Sequence, residues 1–456
     1  MKEYDVLVVG GGNAGCAAAI AAARHGARTM LVERYGFLGG TATAAMVGPW
    51  MTFHSGQKRI VGGIAQEIVE RLQRMGGSPG HLHDSSDYVP TITPFDPEIH
   101  KALLFEMMQE AGVHLLLHAY FLRAICHPEV SKDPEPVEGR AVEGAVFATV
   151  AGEREYRARV TIDATADAYV AASAGVATQQ GDERGRVQPA TLIFRLSHVD
   201  LAKTAAYLRM HPDQMRTSLK THERTASTLT AVAGLYDLWH EAQGKGEVDI
   251  PREVVSFFIT PYPDEVTVNM TRVVDIDPLD PDDLTRAEVA ARLQAMQLFE
   301  FFRKHVPGFE NSRIAATATQ IGIRESRRIV GAYTLTRDDV LEARHFEDAI
   351  ARSAYPIDIH NPSGTGTQTQ RLRPGESYEI PYRCLVPATV ERLLVAGRCI
   401  STTHEALAST RLTPTVMTLG QAAGTAAALA QKEGVRLRDV DAKELRSVLT
   451  ADGVIL

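Results

Sequence analysis

Asp358 and His360 stand two positions apart in the strand-like segment Tyr355–His360, so their side chains share one face. An Asp–His pair can act as a general base near neutral pH and remove a hydroxyl or α proton, although a single histidine can equally be a satisfied structural residue. Arg324, Arg327 and Arg328 follow a β-like run that ends at Ile323. Such a group can clamp an anionic or polar substrate group, with Arg324 best placed, or be consumed by Glu325 and the acidic pair Asp338-Asp339. Near the start of the chain, Gly10, Gly12 and Gly15 carry the G-x-G-x-x-G spacing of a dinucleotide-binding turn. Gly10 allows the tight turn, Gly12 lets the backbone approach a pyrophosphate, and Gly15 with Ala19 permits close helix–strand packing. The phosphates then meet the helix N-terminus at Asn13 and Ala14. Glu33, followed by Arg34, closes the next strand, where a carboxylate can hold a ribose hydroxyl. Cys16 sits inside the nucleotide helix and reads as a small packing residue.

These residues need elements to hold them. The apolar run Val6–Val9, an Ala-rich helix ending near Gly26 and the run Leu31–Val32 form a βαβ unit. A glycine-rich loop with hydroxyls follows, Gly36–Thr43, then a helix over Gly63–Met75 and a surface loop over 76–95. Asp96 and Pro97 cap and open a helix that runs to Glu110 and stops at Gly112. Val113–His118 reads as a strand and 120–162 as a β-meander interrupted by a turn at Ser131–Gly139. From about 187 the pattern becomes antiparallel strands (Val187–Leu196, Val254–Ile259, Val266–Val274) with helices over 201–245 and 283–305. Leu393–Arg398 returns as a buried strand. Thr413 as N-cap and Pro414 as first residue open an Ala-rich helix to 432, and a short C-terminal helix lies within 436–456.

Composition excludes several classes. The chain has 456 residues, 45% hydrophobic and 23% charged, as in a globular protein of two or three cores. A net charge of −8 argues against nucleic-acid binding. No apolar stretch is long enough to span a membrane, and Asp5 interrupts any signal-peptide pattern. Cys16, Cys126, Cys384 and Cys399 are far apart, which suggests neither a metal knuckle nor a redox dithiol and fits a reducing cytoplasm.

Four segments resemble the FAD-dependent oxidoreductase family whose cofactor fold is that of glutathione reductase and fumarate reductase, most like its xanthan-lyase-like and thiazole-synthase-like bacterial members. They are the N-terminal βαβ with Glu33 and Gly39-Gly40-Thr41; Gln320–Arg328; Tyr355–His360; and Val395–Ser401 through Gly420–Gly424. The resemblance implies an α/β fold, a Rossmann-like FAD-binding domain of parallel sheet and β-meander at 1–186 and 391–456, with an inserted α+β substrate domain at 187–390. It implies FAD as cofactor, with Gly39, Gly40 and Thr41 facing the flavin or its ribityl chain. Gly397 and Arg398 would stand by phosphate or ribityl oxygens. Helix residues Thr413 and Thr415 would point at the pyrimidine ring, and His404 and Arg411 would lie in a loop over the isoalloxazine. The family usually reads Ala-Thr-Gly where this chain has Ala164-Thr165-Ala166, which weakens that one contact.

A single dinucleotide fingerprint is present, so bound FAD is favoured over bound nicotinamide. The expected function is hydride transfer between flavin N5 and a small polar organic substrate. His360 or His404 would handle the proton, Arg324 or Arg411 would bind an anionic group, and the electron acceptor stays open. The alternative is a flavin-binding electron-transfer or assembly subunit without its own substrate chemistry. A thiazole-synthase-like role would need a reactive cysteine, and none stands in such a context.

Overall fold

The computed structural model describes residues 3–129 and 139–456. The turn expected at Ser131–Gly139 therefore falls almost wholly outside the described residues. Strand Glu3–Val9 is apolar on both faces because it lies in the middle of a parallel sheet. Thr29–Val32 pairs on one side and Gly152–Asp163 on the other, both parallel. His114–Leu116 extends the sheet beyond Thr29–Val32, and Leu393–Val395 pairs with the end of Gly152–Asp163, closing the sheet from the far end of the chain. The meander Tyr120–Glu129, Gly139–Thr149 and Gly152–Asp163 grows antiparallel from the same long strand.

Helix Asn13–Arg24 is packed between this sheet and helix Thr413–Glu433. Its alanines leave room for a very close approach. A Cβ on Gly420 would stand 2.0 Å from the Ala14 carbonyl oxygen, and one on Gly424 would stand 2.1 Å from that of Ala18. Both contacts advance four residues along each chain, so the two helices run parallel. Helix Pro97–Ala111 starts as expected, with Asp96 accepting from Glu98 N and Ile99 N at 2.7 and 3.0 Å.

A second core is built on a five-stranded antiparallel sheet, in the order Ala231–Gly234, Val255–Ile259, Glu265–Val268, Phe194–Ser197, Arg313–Thr317. Helix Pro281–His305 contributes Ala287, Ala291, Leu298 and Phe302 to it. This core draws on Met46 and on side chains from Val187 to Ile321, whereas most of those from Leu335 to Val386 pack into the first core. Packing thus carries the inserted layer to about 323 rather than 390.

Several local expectations change. The helical stretch at 201–245 is two helices, Leu201–Met210 and Tyr236–Gly244, separated by short turns and a strand. Residues 76–95 are not a surface loop. Leu82–His83 and Thr91–Thr93 form a small sheet with Trp50–Met51, and Asp84 is buried, accepting from Ser86 N, Tyr88 N and Val89 N. Their Gly, Pro, Ser and His content hid this, because the polar groups are satisfied by one another. Residues 404–410 are a helix, not a loop, capped by Thr403. Helix 413–433 begins at Thr413 itself, with uncapped Leu412 before it, so Thr413 is not the N-cap.

The glycine contact is testable. Gly420→Ala and Gly424→Ala should each cost about 1–3 kcal/mol or more in denaturant unfolding, since the neighbour is backbone and cannot yield. Gly244→Ala is the control: a Cβ there meets nothing within 4 Å, and stability should hold or rise slightly.

Candidate functional site

The glycines of the first turn are required for different reasons. Gly10 has φ +105°, and a Cβ on it would lie 2.5 Å from the Ala164 carbonyl oxygen; one on Gly15 would lie 1.9 Å from the Gly10 carbonyl oxygen. Both follow from the protein's own packing. Gly12 has φ −68°, and the nearest atom to a Cβ there is Gly40 Cα at 3.8 Å. Nothing inside the fold demands glycine at 12, so its bare backbone suits an external group. The helix starting at Asn13 has no side-chain cap and no acid in its first turn, leaving N–H donors and a positive dipole end for a phosphate.

Around it, Asn13 donates to the Gly39 carbonyl at 3.1 Å and pairs with His100 Nε2 at 2.9 Å. Gly39 N donates to the Gly11 carbonyl at 2.8 Å, which brings Gly40 against Gly12 and leaves Thr41 beside them. Glu33 accepts from Gly11 N at 2.6 Å and Tyr35 N at 3.0 Å, and burial pushes its carboxyl above the usual range against those bonds. Exposed Arg34 donates to Gln320 at 3.1 Å and stacks on Tyr35. Gly397 ends its strand against Ala14.

Arg398 is not a free phosphate clamp. Its guanidinium donates to the Ala166 carbonyl at 3.1 Å, to the Ile323 carbonyl and to Asp167. These bonds hold a turn in which Ala166 keeps φ +69°, a left-handed conformation that ordinarily favours glycine.

Helix Thr413–Glu433 has a buried start with no side-chain cap and no acid in its first turn. Because Gly420 meets Ala14, this start lies about two turns, or roughly 10 Å, beyond the first helix's own N-terminus along a parallel axis. Two positive helix ends thus lie on neighbouring parallel axes, offset along them. Thr415 Oγ1 donates to Ser353 at 3.2 Å.

The catalytic candidates come together in one network. His404 Nδ1 lies 2.8 Å from Glu325 Oε1, and Arg328 donates to the same oxygen at 2.5 Å. Since the carboxylate only accepts, Nδ1 donates the proton of that bond. Glu325 Oε2 also accepts from Gln188 N at 3.3 Å, and Gln188 Oε1 accepts from His360 N at 3.2 Å. His360 Nε2 is 3.3 Å from Asp358 Oδ2, and Arg411 donates to the Asp358 carbonyl at 3.1 Å. Tyr88 donates to Asp358 Oδ1 at 2.6 Å. Arg324 donates to the Pro189 carbonyl and to Thr191 Oγ1, each at 2.6 Å.

Burial, then the charge of Arg324, depresses His360 to about 3. It is a neutral imidazole at neutral pH. Burial raises Asp358, but His360, Arg411 and Tyr88 outweigh it, and the carboxyl ends below its usual range. Of the arginine triplet, Arg328 takes Glu325 and Arg327 donates to the Asp167 carbonyl at 2.9 Å. The acidic pair 338–339 is engaged elsewhere, by Arg337 and Arg344. Tyr88, Gln188, Arg252 and Arg272 join the site without any local signature; they lie far apart in sequence and meet only on folding. The four cysteines are free, and burial is the main cause raising every one of their thiols.

The fold and this site define a flavin-nucleotide enzyme. The chain belongs to the FAD dependent oxidoreductase family, whose model matches residues 5–449. Its cofactor is FAD, and it is an oxidoreductase. Over 85 residues it is 38% identical to the tRNA uridine 5-carboxymethylaminomethyl modification enzyme MnmG of Treponema pallidum, covering 18% of this chain and 11% of that protein. Over 88 residues it is 34% identical to the glutathione reductase of Schizosaccharomyces pombe, covering 19% and 17%. The chain thus spans less than a fifth of the length of these relatives. Among solved structures, a geranylgeranyl bacteriochlorophyll reductase-like protein of Thermoplasma acidophilum aligns with TM-score 0.45 at 14% identity, over 99% of this chain and 84% of that one. A flavin-dependent brominase aligns with TM-score 0.48 at 14% identity, over 98% and 84%. Among the described residues no helix is long and apolar enough to cross a membrane.

Two outcomes follow from the geometry. Gly12→Ala should leave the unfolding midpoint of the FAD-free protein unchanged while weakening FAD binding about tenfold or more, read by fluorescence titration. Acid should destabilise the protein. His100 and His360, both held near 3 mainly by burial, titrate near 6.5 when unfolded. Their contribution is intact above about 6.5 and is lost as pH falls toward 3, by at most about 1.4 kcal/mol per pH unit each. His100→Gln, which retains a donor for Asn13, should flatten that slope in urea unfolding between pH 7.5 and 5; an unaltered slope would refute it.

Proposed function

We propose that the protein exchanges a hydride between a small anionic organic molecule and flavin N5. His404 handles the accompanying proton, and Arg324 and Arg411 orient an acidic group of the substrate. The observation that carries this reading is the single network from His404 and Glu325 through Gln188 to His360, Asp358 and Arg411. Bound FAD supplies the two-electron chemistry.

The diphosphate would be held by Gly12, Asn13, Ala14 and Gly15, and the ribose by Glu33, with Arg34 at the rim. Gly39, Gly40, Thr41 and Gly397 would line the ribityl side, and Thr413 and Thr415 the ring edge. About half a positive charge at the uncapped start of helix 413–433 would favour a negative charge on the bound ring. Glu325, itself fixed by Arg328, orients the His404 imidazole so that Nε2 takes or returns the substrate proton. His360 stays neutral beside Asp358 and accepts or donates a hydrogen bond without adding charge. The raised thiols give no support to cysteine-based chemistry.

The test is an absorption spectrum of the purified protein, followed by anaerobic photoreduction and re-exposure to air. A yellow protein that bleaches reversibly is expected, and its reoxidation rate separates an oxidase from a dehydrogenase. His404→Gln should cut turnover by about 10²–10⁴ with the flavin spectrum intact. An electron-transfer subunit would keep its rate in both His404→Gln and His360→Gln.

A further inference from the structure

Four arginines lie within electrostatic reach of Asp358, and their charges are not balanced. Arg411 lies 3.6 Å from Asp358 Oδ2. Arg324 donates from Nη1 to the Pro189 carbonyl and the Thr191 hydroxyl. Arg252 donates to the Met270 carbonyl at 3.1 Å and to that of Asn269. Arg272 donates to the Asn361 and Gly366 carbonyls at 2.9 and 3.0 Å. Carbonyls satisfy hydrogen bonds but carry no compensating charge. Buried Asp358 acts on all four cations, and exposed Glu253 acts on Arg272 from the rim. His360 is neutral and adds nothing. Set against these two carboxylates, the four guanidinium groups leave about two positive charges in a partly buried cluster, an arrangement that is costly unless an anion completes it.

Polar atoms point to the same conclusion. The Arg411 side chain is 10% exposed, yet its Nη1 has no hydrogen-bond partner among the described residues. Arg272 Nε, on a residue 3% exposed, has none. Gln188 Nε2, on a residue 1% exposed and at the joint of the network, has none either. Three buried donors without acceptors in one cluster are unusual, and all three would be satisfied by oxygen atoms of a ligand. The mutual repulsion of the cations acts in the same sense: burial and then Arg272 depress Arg252 to about 10, and burial with Arg411 and Arg252 depresses Arg324.

We propose that the substrate is a small organic dianion, with one acidic group bound by Arg324 and Arg411 and the second by Arg252 and Arg272. This rests on the oxidoreductase reading and adds to it the charge of the substrate and a second anion subsite. The two arginines of that subsite come from segments at 252 and 272, within the inserted layer, so the antiparallel sheet supplies specificity while the parallel sheet carries the cofactor.

The measurement is isothermal titration calorimetry of the FAD-loaded protein at pH 7.5. The probes are malonate, succinate, glutarate and glycerol phosphate, with acetate and succinamide as mono-anionic and neutral controls. At least one dianion should bind about tenfold more tightly than acetate, and succinamide should not bind. A dicarboxylate is expected ahead of glycerol phosphate, whose two charges sit on a single acidic group; the reverse order overturns the two-subsite arrangement. Arg252→Gln and Arg272→Gln should each bring the preference over acetate close to one while FAD content is retained. No preference for any dianion in the unmodified protein overturns the proposal, as does a preference that survives both substitutions; the first comparison needs no variant. Failure of the oxidoreductase reading would appear separately, as a protein without a flavin spectrum.

Discussion

Backbone contact between two helices sets the geometry of everything else. Gly420 and Gly424 let helix Thr413–Glu433 lie directly on the carbonyls of Ala14 and Ala18. That contact fixes the axial offset of two uncapped N-termini, and so the depth at which each can meet negative charge. It also ties the last quarter of the chain to the first strand, because Leu393–Val395, just upstream, completes the same sheet. A side chain at either glycine would separate the helices and move one dipole end away from the cleft.

The inserted layer depends on that frame for its orientation. Gly322 and Thr191 exchange hydrogen bonds, and Gln320 N donates to Ala44 O, which joins the antiparallel layer to the loop beside Gly39 and Gly40. Arg398 adds a second staple, reaching from the late strand to Ala166, Asp167 and Ile323 at once. Its role is therefore mechanical. It supports a left-handed alanine whose backbone would otherwise favour glycine, at a cost of about 1–2 kcal/mol for that conformation.

Charge is arranged in two zones. Near the nucleotide loop the positive potential comes from backbone dipoles, with Glu33 buried among N–H donors. Where the inserted layer meets the first core it comes from guanidinium groups acting on Asp358, of which Arg252 and Arg272 belong to that layer. Gln188 bridges the second zone to the His404–Glu325 pair through its backbone N–H and its side-chain oxygen. Protonation of His360 is suppressed by burial and by those cations, so this imidazole stays uncharged across the neutral range.

Much was legible in the order of residues alone. The glycine spacing, the apolar run before it and the Ala-rich helix after it specify a nucleotide βαβ, because each is a local requirement of backbone geometry. Asp96 and Pro97 announced their helix for the same reason, and the two-residue spacing of Asp358 and His360 placed both on one strand face. Tertiary structure alone decided the partners. Residues 76–95 look like a polar loop until Asp84 is seen satisfying their backbone, with Tyr88 carried to Asp358. Glu325 was expected to answer arginines, and it does hold Arg328, but it also orients His404. Arg252 and Arg272 carry no motif, since a guanidinium acquires its meaning from the charges around it, and Arg324, Asp358 and Arg411 come from segments distant in sequence. Local rules of turn, cap and period are written in consecutive residues; electrostatic balance is a property of the folded volume.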